Sequence, residues 1–279
     1  MNSTSPYLSV ENLVYRYPDG TLALRDVNFT LADGDFVALI GQNGSGKTTV
    51  SKCLNGLFKP TEGQVIVDGL DTRTTSITKM VMRVGYVFQN PDHQLFNGSV
   101  WDEIAYGPRN IELPQEEVKT RVEEAADVVG LDAELFEEHP FFLTKGLRQR
   151  VAIASILALR PKIIIVDEPT TGQDVRQSLQ IMDFLTQLHQ ERNHIIVFIT
   201  HDMPIVARYA KRIILMGEGQ KLADGPTAEV FAQPDVLAKT FVTPPQITQL
   251  AQACAELGFE PGTLSVEEMV AQFEAQQEG

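Results

Sequence analysis

The sequence predicts an α/β fold: a parallel sheet covered on both faces by helices, fed by an antiparallel β lead-in, with a helical segment inserted between strands and a small helical extension at the C-terminal end. Three observations predict it. Near-continuous apolar runs at Ile163 to Val166, Ile195 to Ile199 and Ile213 to Met216 have the texture of strands buried on both faces. Residues Gly41-Gln42-Asn43-Gly44-Ser45-Gly46-Lys47-Thr48 spell G-x-x-x-x-G-K-T directly after the apolar run Phe36 to Ile40, the strand, loop and helix order of a phosphate-binding loop. From Ser99 to about Leu159 the texture changes to helix.

Along the chain, Tyr7 to Ile40 reads as short alternating strands, with Val27, Phe29 and Leu31 on one face and an Asp33-Gly34 turn before Phe36. A helix begins near Lys47. Gln64 to Val67 and Val84 to Phe88 are further strands, the first closed by Asp68-Gly69. In the helical insertion, Val118, Val122, Ala126 and Val129 recur at three- and four-residue steps, opened by Pro114 and closed by Gly130. A helical stretch around Val175 to Leu188 separates two of the later strands. Beyond Gly225, Pro226, Pro234 and the pair Pro244-Pro245 are expected to mark linkers, so the chain divides into 1–225 and an extension over 226–279. Two amphipathic helices are expected in that extension. Ile247, Leu250, Ala251, Cys254 and Leu257 form one stripe; Val266, Met269, Val270 and Phe273 form the other, with Ser265 and Glu268 spaced as a capping box. These stripes can pack on the core or dimerise.

Composition narrows the function. At 279 residues with 43% hydrophobic content the chain can bury a sizeable core. Its longest apolar stretches are strand-length, short of the roughly 20 residues of a membrane span. The start, Met1 to Pro6, has neither the basic nor the apolar region of a secretory signal, which predicts a cytoplasmic protein. A net charge of −14, from 23 basic and 37 acidic residues, opposes binding to nucleic acid and to anionic lipid. Cys53 and Cys254 have no C-x-x-C spacing and are expected to be core thiols; His93, His139, His189 and His194 show no ligand spacing and are expected on solvated surface.

The chemistry follows from residue types at strand ends. Gly41, Gly44 and Gly46 let backbone N–H groups curl around phosphate oxygens, and the helix N-terminus adds partial positive charge. Lys47 suits the β/γ-phosphates and the Thr48 hydroxyl suits Mg²⁺. The run Ile163 to Val166 ends in Asp167 and Glu168, at the edge where ligands of open α/β sheets gather. Asp167 suits Mg²⁺, directly or through water, and Glu168 suits polarising an attacking water. Gln89 and His201 also end strands and face the same edge. Gln89 can carry a carbonyl oxygen to the metal or the water, and His201 can hydrogen-bond a γ-phosphate.

The order of Tyr17, the loop Gly41 to Thr48 with Asn43, Ser45 and Thr49, then Gln89, Ile163 to Glu168, Asp174 and His201 resembles the nucleotide-binding subunit of ABC transporters, over roughly residues 7–225. The segment Val87-Phe-Gln-Asn-Pro-Asp-His-Gln-Leu-Phe96, Tyr15-Arg-Tyr-Pro-Asp-Gly20 and the C-terminal extension look like the A component (ATPase) of energy-coupling factor (ECF) importers. The resemblance implies a P-loop NTPase core with an N-terminal antiparallel β subdomain, an inserted helical subdomain at about 99–159, and a head-to-tail dimer, with itself or a paralogue, closing on two ATP molecules with Mg²⁺. It implies attachment to the cytoplasmic face of the membrane through an integral T component, which carries a substrate-capturing S component, for a vitamin or a transition-metal ion. Tyr17 would stack on adenine, and the groove beside Gln89 would receive coupling helices.

One segment departs from that pattern. Where the family reads L-S-G-G-Q, this chain reads Leu143-Thr144-Lys145-Gly146-Leu147. In the family that segment reaches the other subunit's γ-phosphate; Thr144 keeps the hydroxyl and Gly146 the backbone approach, while Lys145 adds charge and Leu147 removes an amide. Gln173 also stands where leucine is common, before Asp174 of the dimer loop. Two other readings follow: an ATP-binding regulatory half of a heterodimer with weak hydrolysis of its own, or a soluble ABC ATPase outside transport. The acidic charge and the single phosphate loop stand against the second.

Overall fold

Strands β1 (Leu8–Arg16) and β2 (Leu22–Leu31) lead into β3 (Phe36–Ile40) and helix α1 (Lys47–Leu54) in this computed structural model, which describes residues 6–171 and 174–277. A hairpin of β4 (Glu62–Val67) and β5 (Leu70–Asp71) follows, turning through Asp68 and Gly69, both at positive φ, as a two-residue hairpin turn requires. Next come α2 (Ile77–Val81), β6 (Val84–Val87), and the insertion of α3 (Val100–Asn110), α4 (Gln115–Val128) and α5 (Lys145–Leu157). The chain then alternates through β7 (Ile163–Asp167), α6 (Val175–Arg192), β8 (Ile195–Ile199), α7 (Met203–Tyr209), β9 (Arg212–Gly217) and β10 (Gln220–Pro226). It ends in α8 (Thr227–Phe231), α9 (Pro234–Ala238), α10 (Gln246–Ala253) and α11 (Val266–Gln277).

Two sheets result. The antiparallel one has the order β2-β1-β4-β5, the larger one β10-β9-β3-β8-β7-β6, parallel except for β10. Every residue of β3, β7 and β8 is buried. Their alternate side chains enter two cores: Phe36, Ala38 and Ile40 pack with the helical insertion and α6, while Val37 and Leu39 pack with the antiparallel sheet and α1. That double burial is why these strands read as continuous apolar runs. Val118, Val122, Ala126 and Val129 of the insertion are buried in the first core, and α4 starts after Pro114 and ends before Gly130, at φ 66.

Register sets the functional edge. Leu39 pairs with Ile199, Asp167 with Ile199, and Val87 with Val166. The residues that follow β3, β6, β7 and β8 therefore emerge side by side, at the carboxyl ends of parallel strands.

Several expectations need correction. Pro226 and Pro234 start helices instead of marking linkers, at the N-cap of α8 and as the first residue of α9, whereas Pro244 and Pro245 close the irregular segment 242–245 that leads into α10. Proline has no N–H to lose in a first helical turn and its φ is already helical. Val230, Phe231 and Leu237 of α8 and α9 join the first core. The first stripe is only partly covered, with Ala251 buried but Leu250 and Leu257 exposed, and in α11 Val266, Val270 and Phe273 stay exposed. Ser265 Oγ accepts from Glu268 N–H at 3.1 Å, but Glu268 reaches back to the N–H of Leu264, one residue earlier than a capping box.

Cys53 is buried, its thiol pushed up to about 12 by burial, while Cys254 is only half-buried. His93 is exposed and His139 half-buried, whereas His189 is buried edge-on to Phe36, with its two ring nitrogens near His194 O (2.9 Å) and Lys211 Nζ (3.2 Å). His194 is half-buried, and burial lowers its pKa. No described helix is long and apolar enough to cross a membrane.

Candidate active site

The loop between β3 and α1 is shaped by glycine where the chain itself demands it. A Cβ on Gly41, at φ 145, would lie 2.2 Å from the carbonyl oxygen of Met216, and one on Gly46, at φ 101, 2.7 Å from Leu24 Cδ2. Lys47 is buried and donates to the carbonyls of Gly41 (2.8 Å) and Gln42 (3.0 Å). Burial lowers its pKa, opposed by Glu168 and Asp167. Ser45 Oγ is buried with no hydrogen-bond partner among the described residues.

A cavity of about 570 Å³ opens on this loop, lined by Tyr17, Asn43, Gly44, Gly46, Lys47, Thr48, Thr49, Gln89, Asp167 and Glu168. Tyr17 comes from the turn after β1. Its hydroxyl lies 2.9 Å from Thr49 Oγ1, and its ring stands edge-on to Tyr15 and Phe58, which stack on each other at 4.9 Å. A ring fixed this way offers a flat apolar face beside the loop.

The acids at the end of β7 differ in surroundings. Asp167 is buried, and its Oδ2 accepts from the hydroxyl of Tyr86 on β6 at 2.7 Å. Burial pushes its carboxyl above the usual range, while Tyr86, Lys52 and Lys47 pull the other way. Glu168 sits at φ 50, a left-handed conformation uncommon for a residue with a side chain. Its carboxylate meets His201 Nδ1 at 2.9 to 3.0 Å and accepts from Thr171 Oγ1 at 3.0 Å. A neighbouring cavity of about 510 Å³ joins His201, Glu168, Gln89, Gln42 and Asn43 to Phe241 and Thr243. Gln89 and Thr48 are exposed at the rim.

The donor set fits ATP with Mg²⁺. A lysine and a glycine-rich turn at a helix N-terminus suit phosphates. One buried carboxylate, a hydroxyl and an amide carbonyl are hard oxygen donors, and Mg²⁺ is usually held by one or two carboxylates together with substrate phosphates.

Thr144, Lys145 and Gly146 are not brought to this edge. They line a separate cavity with Gly130, Arg150 and Gln177, or lie beside it. Thr144 caps α5, Oγ1 accepting from Leu147 N–H at 3.4 Å, and Leu147 packs against the first core. Lys145 Nζ donates to Thr171 O at 3.0 Å. Asp174 caps α6, Oδ1 accepting from Gln177 N–H at 2.8 Å. Gln173 lies outside the described residues. Sequence reasoning missed Tyr86 and Thr171. A hydroxyl within the apolar run Val84 to Phe88 was the available signal, since a buried tyrosine needs a partner.

Phosphate loop, paired acids, glutamine and histidine at one sheet edge, with a separate glycine-bearing helix start, make up the arrangement of an ATP-binding cassette domain. The ABC transporter family matches residues 24–171, and the chain belongs to it. A relative described as an ABC transporter ATP-binding protein, from Caldanaerobacter subterraneus subsp. tengcongensis, is 46% identical over 95% of this chain, which spans only 45% of that protein's length. The same organism's energy-coupling factor transporter ATP-binding protein EcfA2 is 41% identical, covering 94% of each chain. Among solved structures, CbiO1 from Clostridium perfringens, described as part of the ABC transporter complex CbiONQ, aligns with a TM-score of 0.75 and 36% identity over 88% of this chain and 98% of its own.

Proposed function

We propose that this chain is the ATP-hydrolysing subunit of an importer of the energy-coupling factor type, seated peripherally on the cytoplasmic face of the membrane and driving uptake of a vitamin or a transition-metal ion. One observation carries the reading: the two halves of the catalytic apparatus lie apart in the chain. The phosphate loop, Asp167, Glu168 and His201 share one edge, while Thr144 and Gly146 line another cavity. A Cβ on Gly146 would meet nothing within 4 Å, and its φ is not left-handed. Nothing among the described residues requires glycine there, which supports a requirement set by something that docks. A second ATPase subunit, itself or a paralogue, presenting its own nucleotide fits that need.

In this reading Lys47 neutralises the β/γ-phosphates, and Thr48, Asp167 and Gln89 hold Mg²⁺, whose charge assists departure of the γ-phosphoryl group. Glu168 orients the attacking water. The contact with His201 Nδ1 fixes the histidine ring and directs Nε2 away from Glu168, towards a γ-phosphate. Tyr17 stacks on the base.

A groove of about 290 Å³, lined by Ile77, Phe96, Tyr106, Ile111, Ile156 and Leu159, has the apolar character to take a short coupling helix of a T component. The S component would be reached only through that protein. The loop after Gln89 is tied to α5 by Asp92 with Arg148 at 2.8 Å and by Gln94 with Ala152 O at 2.8 Å. Displacement in the groove can therefore pass to Gln89 and to the signature segment together.

Lys145 favours the regulatory reading as an alternative, because its ammonium is engaged by Thr171 O within the chain. Turnover by the purified chain separates the two: hydrolysis rising with concentration, as a homodimer requires, defeats the purely regulatory version. The importer itself is tested by solubilising native membranes and capturing the tagged chain. A multi-span T-like protein with a small S-like protein is expected, whereas recovery alone or with soluble factors, under conditions that keep a known membrane complex intact, would overturn it.

A further inference from the structure

Tyr86 lies outside the machinery described so far, yet it touches its centre. The residue is buried on β6, its hydroxyl donates to Asp167 Oδ2 at 2.7 Å, and its ring packs edge-on against Phe88. On its other side Ser51 Oγ has one proton to give, either to the Tyr86 hydroxyl at 3.4 Å or to the carbonyl of Thr48 at 2.9 Å. Ser51 is fully buried on α1, one turn beyond Thr48. A line of polar contacts from Thr48 carbonyl through the Ser51 and Tyr86 hydroxyls to the Asp167 carboxylate, with Ser51 donating to one neighbour at a time, thus joins the start of α1 to the end of β7 through a third element.

We infer that Tyr86 is a positioning residue for the metal: it occupies one oxygen of Asp167 and fixes that carboxylate relative to the first turn of α1, so that Oδ1 and the Thr48 hydroxyl are offered together to Mg²⁺. The inference rests on the ATP and Mg²⁺ reading of the site. Mg²⁺ demands near-ideal octahedral geometry and keeps few protein ligands. A hydrogen bond to Oδ2 holds the plane of the carboxylate and favours a bond to that ion through Oδ1. Partners that orient metal ligands from behind commonly matter to affinity nearly as much as the ligands.

Binding of a fluorescent ATP analogue to the full-length chain, titrated with Mg²⁺ and repeated in EDTA, tests this. Tyr86→Phe removes one oxygen atom and keeps the ring. Its half-saturating Mg²⁺ concentration is expected to rise about ten- to a hundredfold, with EDTA-condition binding within about twofold of the parent. Mn²⁺ paramagnetic resonance should show the same weakening without reference to turnover. Ser51→Ala should move the Mg²⁺ requirement the same way by about two- to threefold, the smaller effect of a longer contact, and it decides the matter if Tyr86→Phe does not fold. An unchanged Mg²⁺ requirement overturns the inference. So does an equal loss with and without metal, the mark of a tyrosine that only completes the core. Failure of the parent chain to bind the analogue at all would instead fault the reading of the site.

Discussion

The phosphate loop and the signature segment are both glycine-bearing turns at the start of a helix, yet the fold treats them differently. At the loop, the chain itself needs the glycine: Gly41 faces Met216 O, and Lys47 is buried among the carbonyls of its own turn. At the signature segment an added Cβ on Gly146 would meet nothing within 4 Å among the described residues, and Thr144 is exposed. One turn is finished by folding. The other is left open by folding, and in the proposed function a second subunit would complete it.

The largest expected effect lies at Glu168. Glu168→Gln keeps size and the contact with Thr171 but removes the charge that would polarise a water, so hydrolysis should fall about a hundredfold with ATP binding retained. Near-normal turnover would remove the base from the finished edge.

The two glycines sharpen the contrast next. Gly41→Ala should cost about 1–3 kcal/mol of stability, the scale of overpacking against fixed backbone, read as a lower denaturant midpoint. Gly146→Ala should leave that midpoint and monomeric nucleotide binding unchanged. Its hydrolysis should fall about tenfold, as expected for losing a single close contact in the assembled site. Equal destabilisation by both substitutions would erase the distinction.

The finished edge was legible in sequence because its signals are local. A glycine spacing, apolar runs of strand length and acids at a strand end each fit within a dozen residues. What was not legible depends on tertiary neighbours. Tyr86 and Asp167 are 81 residues apart, and only the pairing of β6 with β7 makes them adjacent. His189 read as surface because it is polar, yet partners near both ring nitrogens and an aromatic neighbour let it be buried. Pro226 and Pro234 read as breaks between units, although the same restriction on φ suits a helix start. At Lys145 the sequence exposed a departure from the family pattern but not its consequence, because the acceptor, Thr171 O, belongs to the loop after β7.

That lysine also supplies the smallest and most discriminating test, because it links the two regions just contrasted. Lys145 Nζ holds Thr171 O, Thr171 Oγ1 holds Glu168, and Glu168 holds His201. If this chain of bonds steadies the catalytic acid, Lys145→Met should release the turn before any partner or nucleotide is present. Amide exchange at Glu168 to Thr171 in the isolated protein should then quicken, and turnover should drop about two- to tenfold, the worth of one hydrogen bond. A lysine used only against a nucleotide on another subunit predicts the opposite division. Exchange in the isolated chain would stay at the parent's rate, and the loss would appear only in the assembled, ATP-bound state.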